Sequence, residues 1–109
     1  MKTLSEYGRI FNPDNPYWSK DIRTNLIYLR ARQSYLNDVL KARGHLTLND
    51  VYDVLGFPRT AKGLVVGWVY EEDNKFGDNY VDFGIVTSEC NDSSIPIEFN
   101  VDGIIFDRI

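Results

Sequence analysis

From Trp18 to Arg43 the chain runs without glycine or proline. Its apolar residues Trp18, Ile22, Leu26, Leu29, Leu36 and Leu40 fall within one sector of roughly 80° when each residue advances about 100°. This predicts one long helix, or two abutting ones, with a buried face, capped by Ser19 or Asn15 and stopped at Gly44. Ile22, Leu29 and Leu36 also recur every seven residues, but three such positions describe an ordinary amphipathic helix rather than a coiled coil. Arg23, Arg30 and Lys41 line one border of the apolar face and Arg32 and Arg43 the other, where long cationic stems cover the edge of a core. A second helix of about two turns is expected over Asp50–Leu55, with Asn49 or Thr47 as its cap and Gly56 and Pro58 closing it. Ahead of both helices, the two prolines of Asn12-Pro13-Asp14-Asn15-Pro16 block a continuous helix, so residues 1–17 are expected as an extended arm.

After Gly63 the period changes from helical to alternating. Leu64–Tyr70 is rich in β-branched and aromatic residues; Tyr80–Val86 sets Val81, Phe83 and Ile85 on one side; Ile95–Asn100 does the same with Ile95, Ile97 and Phe99. Pro96 has no amide donor, which favours an edge strand or a strand start. Val101-Asp102-Gly103 reads as a tight turn into a last strand, Ile104–Asp107. The expected class is α+β: N-terminal helices, one long and one short, packed on an antiparallel β-meander of three to four strands. With 109 residues there is room for one core, so a single domain is expected: an arm over 1–17, helices over 18–56 and a sheet over 64–109.

Composition narrows the function classes. An apolar share of 43% with 14% aromatics supports a packed interior. A net charge of −4 argues against general nucleic-acid binding, which requires cations to displace phosphate counterions. The charge is unevenly spread: residues 1–44 hold eight Lys/Arg and four Asp/Glu, and residues 45–109 hold four and twelve. Such a split marks an interaction surface, or two halves that pair their charges on packing; the second explanation is the simpler expectation. Cys90 is the only cysteine, so no internal disulfide or multi-cysteine metal site can form, and a reducing, cytosolic setting is expected. No apolar run resembles a signal peptide or a membrane span, and no membrane partner is expected.

Candidate chemistry is sparse. His45, the sole histidine, follows a helix-ending glycine, where it caps a carbonyl or lies exposed. Cys90 sits among Glu89 and Asp92, whose charge opposes a thiolate. Glu71, Glu72, Asp73 and Asp78 crowd one loop, but Lys75 and the absence of a closing glutamate break the calcium-loop pattern. Phe57–Gly63 carries Arg59 and Lys62 without the glycine spacing of a phosphate loop, so a connecting turn is expected. Tyr17, Trp18, Tyr28 and Tyr35 lie among the basic helix residues and raise a single-strand nucleic-acid patch as the lesser alternative. No catalytic residue, metal ligand or cofactor is assigned. The residues expected to meet a protein partner are Glu71, Glu72, Asp73 and Asp78, with Arg23, Arg30 and Lys41 as the alternative surface.

The stretch Ser34–Gly56, the pair Gly67-Trp68-Val69-Tyr70 and Tyr80-Val81-Asp82-Phe83-Gly84-Ile85, and Phe99-Asn100-Val101-Asp102-Gly103-Ile104 resemble uncharacterised proteins of tailed phages and prophages of Gram-positive bacteria, over about residues 34–109. The resemblance implies a phage origin and brings no activity or catalytic residue. Such relatives often have a hydrophobic N-terminal segment that this chain lacks, so no membrane role is carried over. The leading expectation is a non-enzymatic binder of a host or phage protein, in its most specific form an inhibitor of a bacterial defence complex such as a CRISPR effector. A self-associating virion component and an enzyme with dispersed carboxylates are the alternatives.

Overall fold

The computed structural model describes residues 4–73 and 77–108. The prolines near the start end an extended segment, as their fixed φ dictates. That segment is not a free arm, however. Arg9–Phe11 forms β1, a strand laddered to a partner near the C-terminus, and Phe11 is fully buried with its ring 5.5 Å from Trp18 and 5.9 Å from Tyr28. Burial of a large aromatic offsets part of the cost of ordering the stretch around it.

The long helix, α1, runs Ile22–Arg43. Its N-cap is Asp21, whose carboxylate accepts from the Arg23 amide at 2.9 Å, rather than Ser19 or Asn15. Ser19 is held instead by the buried Asn25, which accepts from its amide and donates to its carbonyl. Asn15 caps the other helix: its side-chain amide donates to the Leu55 carbonyl at 2.8 Å. Leu29, Leu36 and Leu40 of the expected face are buried, and Gly44 ends α1 in the left-handed conformation at φ 89°.

A three-residue strand follows at once, β2 (His45–Thr47), and then α2 (Leu48–Leu55). Thr47 caps α2 in a reciprocal capping box with Asp50. Asn49, the other candidate cap, points inward and holds Thr60 through both its amide and its carbonyl oxygen.

The remaining strands are β3 (Val66–Val69), β4 (Ile95–Ile97) and β5 (Gly103–Ile104). The class is α+β, as expected, but the strands do not form one meander. β1 and β4 make an antiparallel pair, and β2-β3-β5 make a separate antiparallel sheet. Pro96 sits in β4, a strand with a single ladder partner. The expected last strand begins a residue early and ends at Ile104, with a 3-10 turn over Phe106–Arg108.

Tyr80–Val86, expected as a strand, is outside both sheets. Over Val81–Phe83 its backbone groups alternate sides as in a strand, before Gly84 turns at φ 59°, and helix side chains replace the missing neighbour. The Val81 amide donates to Asn37 Oδ1 at 2.7 Å, Asn37 Nδ2 donates back to the Val81 carbonyl, and the Phe83 amide donates to Gln33 Oε1 at 2.9 Å. Residues four apart on a helix are displaced by about 6 Å along its axis, and residues two apart on an extended chain by about 6.6 Å, so one pair of helix amides matches alternate backbone groups. On the opposite edge, the Glu98 amide donates to the Phe83 carbonyl and the Asn100 amide to that of Asp82.

One core joins both helices and strands β1 to β4. Trp68, Tyr52, Phe83 and Phe99 lie at its centre, with Phe99 edge-on to both Tyr52 (5.7 Å) and Phe83 (5.6 Å). Their polar tips are satisfied: Trp68 Nε1 donates to Asn100 Oδ1 at 3.0 Å, and the Tyr52 hydroxyl to the Tyr7 carbonyl at 2.7 Å.

Candidate interaction surfaces

Arg23, Arg30 and Lys41 are all exposed on α1. At about 100° and 1.5 Å per residue they fall in a sector of roughly 20° and span about 27 Å of the helix. Arg23 lies at the 4.0 Å limit from Asp21, and Arg30 and Lys41 form no ion pair among the described residues. The expectation that the two halves pair their charges is therefore met in part, by Arg43 with Asp50 and Lys62 with Glu6. Among the described residues, Arg43 with Asp50 at 3.3 Å is the only pair that joins an α1 cation to an acid of the second half. The cations of the helix border face solvent.

Beside these cations lies a feature that the buried-face pattern concealed. Ile27 is 67% exposed and Tyr35 50% exposed, with the exposed Ala31 between them. Their spacing of four and four places them in one outward row. Apolar residues outside the buried sector were the signal for it. Tyr28, in contrast, stacks its ring on Phe11 and on Tyr17 at 5.6 Å and carries the Arg32 guanidinium at 5.4 Å. Trp18 packs on Phe11. The rings suggested for base stacking are thus largely engaged with one another.

The acidic segment leaves the sheet beside the C-terminal end of α1, because the Tyr70 amide donates to the Gly44 carbonyl at 2.8 Å. Glu71, Glu72 and Asp73 are exposed. Asn79, at φ 62°, closes this loop by bonding both the amide and the carbonyl of Glu71. Asp78 is engaged within the fold. It accepts from Asn100 Nδ2 at 2.9 Å, and Asn100 in turn holds Trp68, Asp82 and the Tyr80 carbonyl. Lys75, which breaks the calcium-loop pattern, lies outside the described residues.

Over residues 1–109 the chain matches DUF6353, described as a family of unknown function. It belongs to that family. The match takes in every element from β1 to β5. No curated protein and no solved structure matches the chain.

The reactive groups of this DUF6353 member have neighbours within the protein. His45 lies in β2 opposite Val69, with Nε2 3.5 Å from an Arg43 nitrogen, and so does not cap the helix. The Cys90 thiol contacts the Val86 carbonyl, and burial together with Glu89 pushes its pKa up. In the Phe57–Gly63 connection, Arg59 grips Asp53 at 2.6 Å and Lys62 grips Glu6 at 2.6 Å, so both cations are matched by the protein's own acids. A shallow depression of about 360 Å³ lies beside Glu6, Arg9 and Lys62. Among the described residues, no group of three His, Cys, Asp or Glu is placed to hold a metal, and no helix is long and apolar enough to cross a membrane.

Proposed function

We propose that this DUF6353 member is a phage-encoded, non-enzymatic binder of a host or phage protein, working in the cytoplasm of the host bacterium. The observation that carries this reading is the disposition of charge: exposed cations along α1, of which Arg30 and Lys41 form no ion pair among the described residues, and exposed acids at Glu71–Asp73. Fields of one sign on separate surfaces steer association and select partners. In its most specific form, the acidic loop occupies the cationic nucleic-acid groove of a defence complex such as a CRISPR effector.

Affinity purification of the tagged chain from its bacterium, with and without phage infection, tests the reading. A protein recovered in stoichiometric amount, released by moderate salt and lost in the E71Q/E72Q/D73N variant, is the expected result. Affinity that holds or rises with salt would overturn the electrostatic version.

One observation favours a second reading, self-association in a virion assembly. β5 is an edge strand, and Ile104 and Phe106 are each 67% exposed beside the exposed Leu64. Light scattering at high concentration separates the two, since a strict monomer is incompatible with assembly through this edge.

A further inference from the structure

We infer that the outer face of α1 is a second docking surface, separate from the acidic loop, and that its partner is an acidic amphipathic helix of another protein. This rests on the reading of the chain as a protein binder and adds the site and the chemistry of what fills it. Most surface helices bury one apolar face and present polar residues outward. Here the 22-residue α1 buries Leu29, Leu36 and Leu40 and presents a second apolar row, Ile27, Ala31 and Tyr35, to solvent. Ala31 at the middle of the row lets a partner backbone approach closely, with Ile27 and Tyr35 standing on either side of it. Arg23, Arg30 and Lys41 flank the row along about 27 Å of helix, a length that corresponds to five turns. An apolar centre with a charged rim, rich in tyrosine and arginine, is the anatomy of a protein interface.

Charge decides among the occupants. A second copy of this chain would bring Arg23, Arg30 and Lys41 against the same three cations, with Asp38 the one acid on the face to offset them. A single-stranded nucleic acid needs a succession of open rings, and Tyr35 is the one ring on this row, Tyr28 being stacked on Phe11 and Tyr17. An anionic membrane needs a broad apolar face to insert, whereas this row holds two large apolar side chains. A helix carrying leucine-type residues at spacings of three and four, edged with Asp and Glu, satisfies both the row and its rim.

The test is site-specific photocrosslinking in the bacterium that carries the gene, with a photoreactive amino acid placed in turn at Ile27, Ser34 and Tyr35, and at Glu72 as the loop reference. The expected result is a protein adduct from the three helix positions whose crosslinked peptide, mapped by mass spectrometry, is acidic and amphipathic at helical spacing. Arg30→Glu sets an acid against the acidic edge of the partner and should lower the adduct yield about tenfold. Because Arg30 is exposed, circular dichroism should show the fold retained in that variant. Adducts of twice the chain mass, nuclease-sensitive adducts, lipid adducts or a mapped segment lacking acids would each overturn the inference. Adducts at Glu72 with none on the helix would overturn it while leaving the binder reading intact. Silence at all four positions would overturn both.

Discussion

The segments Val66–Val69 and Val81–Phe83 carry the same kind of local signal, alternating β-branched and aromatic residues, and the fold treats them in opposite ways. Val66–Val69 becomes the middle strand of a three-stranded sheet, with backbone partners on both sides. Val81–Phe83 is equally extended, with Val81 and Phe83 equally buried, but on one edge its partners are the side chains of Gln33 and Asn37. Extended backbone is therefore a property of the segment, while sheet membership is a property of what lies beside it. Every buried amide must find an acceptor, and a helix amide serves as well as a neighbouring strand.

The sharpest way to break this comparison is at Gly67. A Cβ there would overlap the Leu46 carbonyl of the paired strand, a backbone atom that cannot swing aside. Gly67→Ala should destabilise the protein by about 3 kcal/mol or more, read as a lower urea midpoint. A midpoint unchanged from the parent would show that β2 and β3 approach each other less closely than this geometry requires.

A smaller effect is expected on the other side of the comparison. Gln33→Leu and Asn37→Leu each leave buried backbone groups unpaired and should cost about 1–3 kcal/mol. Hydrogen exchange supplies the specific readout: the Val81 and Phe83 amides should lose protection while those of Val66–Val69 keep theirs. Equal loss in both segments would mean that the two unfold as one unit.

The arm offers a milder test, because Tyr52 ties α2 to Tyr7 just before β1. Tyr52→Phe removes this hydrogen bond at a cost of about 1 kcal/mol. Burial raises the pKa of both Tyr52 and Tyr28 above the ordinary tyrosine value. A raised pKa in the folded state gives stability that is full below the unfolded value and is lost as pH rises through the folded one, so thermal stability should fall above about pH 10. Tyr52→Phe should flatten that decline; an unchanged slope would assign it to other groups.

The least effect is expected from the exposed ion pairs. Lys62 lowers the pKa of Glu6 and Arg59 that of Asp53, so their contribution is present above the ordinary carboxylate range and lost as pH falls through the lowered values. Both pairs are solvent-screened, and Arg59→Gln should leave the unfolding midpoint within measurement error. A clear shift would reveal a role for the Phe57–Gly63 connection in holding α2.

The two charged surfaces differ in how far they could be read in advance. Arg23, Arg30 and Lys41 are exposed as helical periodicity implied, because a side chain at the border of an apolar face has nowhere else to go. Asp78 shows the limit of such reading: beside Glu71–Asp73 it looks like one more loop acid, yet it supports the Asn100 network around Trp68. That bond joins residues 22 apart, and no local pattern encodes it. The outward row of Ile27, Ala31 and Tyr35 was written in the sequence, but its meaning depended on knowing that nothing described in the fold covers it.

By itself the sequence determined the α+β class, the body of α1 and α2, their glycine stops and the alternating C-terminal segments, because each is set by steric and periodic rules acting over a few residues. It could not determine that residues 9–11 would ladder with residues 95–97, that β5 would add to β3, or that helix amides would stand in for a strand beside Val81–Phe83. Those choices belong to the tertiary structure alone, since hydrogen-bonding backbone is the same at every position and its partner is settled only when the core brings distant segments together.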